Sequence, residues 1–199
     1  MVNTIIFDLG NVIVNFDETP IFNAWAKASN KTAPCIKKYY RNSAARISFE
    51  VGKLSARQFY EITVKELNMK MGFEKFKKIW CGIFTLNKYV EKIIRNLKGK
   101  YRLILLSNTN ILQYEYVKKK YKIVDIFDEH VLSYKVGCRK PSPLIFMKAV
   151  RKAKTFPFNC AYFDDIPEFI YVARMLGIKA FQFKTVEKLK KDLISLKVI

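Results

Sequence analysis

The stretch YRLILLSNTNILQYEYVKKKY (residues 101–121) joins two patterns of different period. Residues 101–107 form an apolar run of the length expected of a strand buried on both faces, ending in Ser107. Residues 111–121 then read as a helix. The alternation continues to the end of the chain. HVLSY (130–134) reads as a strand, and SPLIFMKAVRKA (142–153) as a helix with Pro141 and Pro143 at its start. CAYFD (160–164) is a strand, and EFIYVARMLG (168–177) a helix closed by Gly177. KAFQF (179–183) is a last strand before the helix TVEKLKKDLISL (185–196). Such alternation implies right-handed crossovers and an α/β fold, a Rossmann-like doubly wound parallel sheet covered on both faces. Reactive groups in that fold lie beyond the carboxyl ends of the strands.

Upstream, Ile5-Ile6-Phe7 reads as a short buried strand broken by Gly10 and Asn11. Residues 17–87 then lose the rhythm. ETPIFNAWAKASN (18–30), SARQFYEITVKELN (55–68) and GFEKFKKIWCGIF (72–84) read as amphipathic helices with no strand among them. KYVEKIIRNLKG (88–99) is a helix that leads back to residue 101. The expected organisation is a core of residues 1–16 and 88–199, with an inserted helical cap at 17–87 above the first strand, where a lid would be placed.

Composition narrows the function. A chain of 199 residues, half of them hydrophobic and with only 7 glycines and 6 prolines, buries a substantial core and is not disordered. The N-terminus lacks a positive leader, and Asp8 interrupts its apolar run. Nothing approaches the ~18 uninterrupted apolar residues of a membrane span, so the expectation is a cytoplasmic protein without a membrane partner. Cys35, Cys81, Cys138 and Cys160 are widely spaced and fit idle thiols of a reducing compartment. The formal charge of +20 raises the question of a polyanionic partner. The lysines, however, are spread over most of the chain, as a solvated surface would have them, and nucleic acid is not the expected partner.

The strand ends carry the chemistry. Asp8 ends the first, Ser107-Asn108 the second and Asp164-Asp165 the fourth, while Lys140 stands in GCRKPSP (137–143). Each alone is most often a cap or turn former. Together, at one edge of one sheet, they suit phosphoryl transfer. A carboxylate attacks phosphorus and forms an aspartyl-phosphate. A divalent cation held by oxygen ligands, from Asp8, Asp165 and Asp164, offsets the repulsion between anions. Ser107 and Lys140 bind the phosphoryl oxygens.

In FDLGNVIVNFD, LLSNTN, VGCRKPSPLIF and YFDDIPEF the chain resembles, motif by motif and in order, the phosphatase arm of the haloacid dehalogenase superfamily. It is especially similar to bacterial alpha-D-glucose-1-phosphate phosphatases, which also carry D-L-G-N-V. The resemblance implies Asp8 as nucleophile, Ser107 and Lys140 as phosphate binders, Mg²⁺ as cofactor and Asp165 as its main ligand among the acids of the fourth motif. It also implies that residues 17–87 are the cap, with FEVGKLS (49–55) matching a recurring cap stretch. The expected activity is Mg²⁺-dependent hydrolysis of a small phosphorylated metabolite such as a sugar phosphate.

Two departures stand out. Gly10 replaces the second aspartate that most such phosphatases use as general acid and base, although its carbonyl still offers a metal ligand. After the acidic pair, Ile166 and Phe169 stand where relatives often place an asparagine, which leaves support of the metal ligands unassigned. His130, the only histidine, fits a structural hydrogen bond better than a general acid. Trp25, Trp80, Phe22, Phe59 and Phe76 fit the core of the cap, and Asn15 and Asp17 fit either substrate contact or turn and cap duty. Two other classes remain open: a metal-free 2-haloacid dehalogenase, against which the paired acids argue, and a non-catalytic basic binding module.

Overall fold

The computed structural model describes residues 1–199. The chain begins with β1 (Thr4–Phe7) and β2 (Val14–Phe16). Five helices follow: α1 (Thr19–Ser29), α2 (Ala33–Asn42), α3 (Ala44–Glu50), α4 (Ala56–Leu67) and α5 (Phe73–Cys81). Then come β3 (Phe84–Leu86), α6 (Lys88–Leu97), β4 (Arg102–Ser107), α7 (Ile111–Lys120), β5 (Glu129–Leu132) and the short α8 (Ser133–Val136). The chain closes with α9 (Pro143–Ala153), β6 (Cys160–Asp164), α10 (Pro167–Met175), β7 (Lys179–Gln182) and α11 (Val186–Ser195).

Five strands form one sheet in the order β5-β4-β1-β6-β7, every neighbouring pair parallel. The chain starts in the middle, winds to one edge and crosses back to the other, which makes the sheet doubly wound as the alternation implied. β1 and β6 are buried at every residue, which is why their sequences are continuous apolar runs. Successive side chains point to opposite faces. Ile5, Phe7, Leu103, Leu105 and Phe163 enter one hydrophobic cluster, and Ile6, Ile104, Leu106 and Tyr162 the other. The direction of winding reverses at β1, so the carboxyl ends of β1, β4 and β6 border a crevice where such sheets bind ligands.

The inserted segment differs from its reading in two respects. Residues 84–86 are a strand rather than the end of a helix. Gly82 closes α5, and Phe84-Thr85-Leu86 pairs antiparallel with Val14-Asn15-Phe16. Three residues are too few for a period of two to stand out beside an amphipathic helix. Residues 33–50 also form two helices that the sequence reading did not assign. Ser43 separates them and caps the second by accepting from the N–H of Arg46. In the core, the strand expected at 130–134 ends at Leu132 and turns directly into α8.

The aromatic residues of the insertion are core, as their spacing suggested. Trp25 stacks on Phe76 at 5.1 Å and on Trp80 at 5.7 Å, and all three are buried. They belong to the same cluster of 41 buried residues as Ile5, Phe7 and Phe163 of the sheet. A second join lies at Gly52, whose φ of +75° suits glycine, and where an added Cβ would stand 2.2 Å from the carbonyl oxygen of Tyr134. Gly52→Ala should therefore lower stability by about 2 kcal/mol or more, read as a fall in the urea midpoint. The four cysteines are unpaired, and no helix is long and apolar enough to cross a membrane.

Candidate active site

The crevice at the reversal point is organised around a buried lysine. The Lys140 side chain is 1% exposed, and its Nζ lies 2.8 Å from Asp8 Oδ1 and 2.5 Å from Asp164 Oδ2. Its remaining hydrogen bond goes to the carbonyl of Leu106 at 3.3 Å. Two hydrogen bonds and the ion pair with Asp8 fix the nitrogen in place. Burial pushes the ammonium pKa down, but the carboxylates of Asp8 and Asp164 outweigh it and hold the group above its ordinary value. The backbone around it is clamped as well. Asn108 accepts from the N–H of Lys140 at 2.8 Å and donates to its carbonyl at 2.9 Å.

The acids differ in environment. Asp8 follows β1, and burial raises its pKa to about 7, opposed by Lys140 and reinforced by Asp164. Asp164 is fully buried. One oxygen accepts from Lys140 and the Tyr162 hydroxyl, the other from the N–H of Ile166 at 2.9 Å. Asp165 is half-buried and opens into the crevice, with burial raising its pKa and a hydrogen bond from Asn11 lowering it. That bond, Asn11 Nδ2 to Asp165 Oδ2, is 3.0 Å long. Ligand oxygens of Asp8, Asp164 and Asp165 lie within 4.8 Å of one another.

Above them is a cavity of about 210 Å³ whose floor includes Asp8, Gly10, Ser107, Asn108, Lys140 and Asp165. Phe16 and Phe84 of the β2–β3 pair form one wall; Tyr40 of α2, with Arg46 and Glu50 of α3, reaches in from the inserted helices. It is smaller than the ~300–1,000 Å³ typical of drug-sized ligands and suits a compact polar molecule.

The family model for haloacid dehalogenase-like hydrolases matches residues 2–177. The chain belongs to that family. Among curated proteins it is 29% identical over 191 residues to D-ribitol-5-phosphate phosphatase of Bacteroides thetaiotaomicron, covering 92% of each chain. Among solved structures it superposes with a TM-score of 0.83 on a family enzyme from Bacteroides thetaiotaomicron in complex with magnesium and inorganic phosphate. That pair shares 24% identity over 92% of this chain and 95% of the other. A family hydrolase predicted from Porphyromonas gingivalis gives a TM-score of 0.84 at 22% identity, over 99% and 98% of the two chains. These likenesses agree with the sheet order described above.

In this haloacid dehalogenase-like hydrolase the candidate residues Asp8, Ser107, Lys140 and Asp165 meet in one cavity. Asn108 lines it too, but its amide holds the backbone of Lys140. Asp164 sits behind Lys140, with both oxygens engaged. His130 does not line the cavity; it hydrogen-bonds the Tyr114 hydroxyl, and burial lowers its pKa. Asp17 accepts from the N–H of Thr19 at the start of α1, and Asn15 lies outside the cavity.

Sequence reasoning missed three supporting groups in this hydrolase. Asn11, treated only as a break, supplies the contact to Asp165 that the fourth motif lacks. Its φ of 53° is one that asparagine tolerates, so the G-N pair was the available signal. Tyr162 was read only as strand core, yet its hydroxyl reaches Asp164. Phe16 bounds the space at Gly10: a Cβ added there would lie 2.8 Å from its ring, which would have to shift.

Proposed function

We propose that the chain is a Mg²⁺-dependent phosphatase of a small phosphorylated sugar or polyol, working through an aspartyl-phosphate on Asp8. The observation that carries the reading is Lys140, anchored between Asp8 and Asp164 at the floor of a cavity into which Asp165 also opens. Asp8 attacks phosphorus, the Asp8–phosphorus bond forms and the ester oxygen leaves with the bonding pair. Lys140 balances charge on Asp8 and on the phosphoryl oxygens, which Ser107 is placed to bind. Water then cleaves the acyl phosphate, releasing phosphate and restoring Asp8. Helices of residues 17–87 serve as the cap that covers this chemistry, and residues 1–16 and 88–199 as the catalytic core.

The acids fit a hard divalent cation, since all are oxygen donors within reach of one another. Asp8, Asp165 and the carbonyl of Gly10 are the groups to hold Mg²⁺, which when bound neutralises charge on the transferring phosphoryl group. Asp164 serves as the anchor of Lys140. Asp165→Ala is accordingly expected to weaken Mg²⁺ binding by about 100-fold or more in a titration while leaving stability nearly unchanged. Asp164→Ala should instead cost about 1–3 kcal/mol of stability, because the Tyr162 hydroxyl and the N–H of Ile166 lose their acceptor. Equal losses of metal affinity would assign both acids to the metal.

The substrate class is supported by the relative named for D-ribitol 5-phosphate and by the small polar cavity. A screen of sugar and polyol phosphates for phosphate release, with Mg²⁺ and with chelator, tests the reading. Metal-dependent release is expected. Chloride released from a 2-haloacid in chelator would overturn it in favour of the dehalogenase class, in which an Asp165 open to the cavity has no use.

A further inference from the structure

The roof of the cavity holds a second polar cluster that the chemistry at Asp8 does not use. Glu50, the last residue of α3, is 8% exposed. One of its carboxylate oxygens pairs with Arg46, one turn earlier on the same helix. The other, Oε2, lies 3.2 Å from Arg139 Nη1 but off the donor direction, and it accepts no hydrogen bond although it is buried. Buried carboxylate oxygens are ordinarily satisfied, so an unmet one needs a reason. Arg46 is itself fixed: its Nε donates to the carbonyl of Tyr40 at 2.9 Å, and its guanidinium lies 4.8 Å from the centre of the Tyr40 ring. Glu50, Arg46 and Arg139 line the same cavity as Asp8 and Lys140.

We infer that Glu50 Oε2 accepts a hydrogen bond from a substrate hydroxyl remote from the phosphate, while Arg46 and Arg139 donate to hydroxyl oxygens beside it. The inference deepens the phosphatase reading and rests on it for the position of the phosphate at the floor. The chemistry of the roof selects the ligand. An apolar chain would leave Oε2 unmet, and a second anionic group could accept from Arg46 and Arg139 but would bring Oε2 no donor. A chain of adjacent hydroxyls, each both donor and acceptor, satisfies carboxylate and guanidinium together. A purely structural clasp does not require Oε2. The backbone carbonyl of Glu50 already meets Ser133 Oγ at 2.6 Å, joining the inserted helices to the core.

Binding is measured in the Asp8→Asn background, which holds a phosphate ester without turning it over. Calorimetry compares a pentitol 5-phosphate with pentyl phosphate, which has the same chain length and no hydroxyls. The pentitol ester is expected to bind more tightly, and adding Glu50→Gln should narrow that preference by about tenfold or more, because an amide NH₂ replaces an acceptor. Arg139→Gln, at a more exposed position, should narrow it as well and serves if Glu50→Gln folds poorly. A preference unchanged within twofold in both variants, or no preference to begin with, overturns the inference. Failure of the wild type to release phosphate from any ester would instead count against the phosphatase reading, and the binding ratio would still decide the role of Glu50.

Discussion

Asp8→Asn is expected to abolish turnover and, in the absence of Mg²⁺, to make the protein more stable. The first effect follows from the nucleophile. An amide does not form the acyl phosphate, and removal of a nucleophile that acts as part of a unit lowers kcat by about 10⁴-fold or more. The second follows from electrostatics. Lys140 sits between two carboxylates, so one buried negative charge is left unbalanced. Its cost appears as the rise of the Asp8 pKa from 3.8 to about 7, caused first by burial. A carboxyl whose pKa is raised by folding costs nothing below its unfolded value, where it is protonated in both states. The cost grows as pH rises and is complete above the folded value. Asp8→Asn should therefore match the wild type near pH 4 and exceed it at pH 8 by roughly 2–4 kcal/mol in urea unfolding with chelator present. Lys140 keeps Asp164 as its partner throughout. A variant that retains most of the wild-type rate would defeat the aspartyl-phosphate, and one that is less stable at pH 8 would defeat the charge argument.

The rate of phosphoryl-enzyme formation is expected to fall steeply as the leaving-group pKa rises. Gly10 supplies no proton to the departing oxygen, and general acid catalysis is worth about 10²–10⁴ in rate. Aryl phosphates and sugar 1-phosphates should then outrun primary alkyl phosphates in single-turnover measurements. The structure also bears on repair. Gly10→Asp alone places a Cβ 2.8 Å from the Phe16 ring, which must shift to admit it. Gly10→Asp with Phe16→Ala opens that space, and the pair should flatten the slope that the wild type shows. A flat slope in the wild type would mean that an acid of the roof already supplies the proton, with Glu18 and Glu50 as the groups to test; His130 lies outside the cavity.

The three central strands were legible because strands buried on both faces are written as apolar runs, and each leads into a polar residue at the same edge. The acids stand at those strand ends, and Lys140 just before a helix started by proline. What the sequence concealed depends on contacts between distant segments. Asp164 and Asp165 are adjacent letters of the same type, and only burial separates an anchor for Lys140 from a carboxylate open to the cavity. Asn11 supports Asp165 across 154 positions, a pairing that no local pattern encodes. The short strand at Phe84–Leu86 exists because β2 lies opposite it, and of the helices of residues 33–50 α2 is rich in polar residues and α3 only seven residues long.

The stacked indoles of Trp25 and Trp80 share one apolar cluster with the strands beneath them, and that sets a limit on what can reach Asp8. Swinging the roof away as a unit would wet that slab, at about 25 cal/mol for each Å² of apolar surface exposed. Opening by a hinge therefore carries that cost, which movement of side chains at the rim does not. Capture of a small anion by a surface with 20 excess positive charges is expected to slow as added salt shortens the reach of its field.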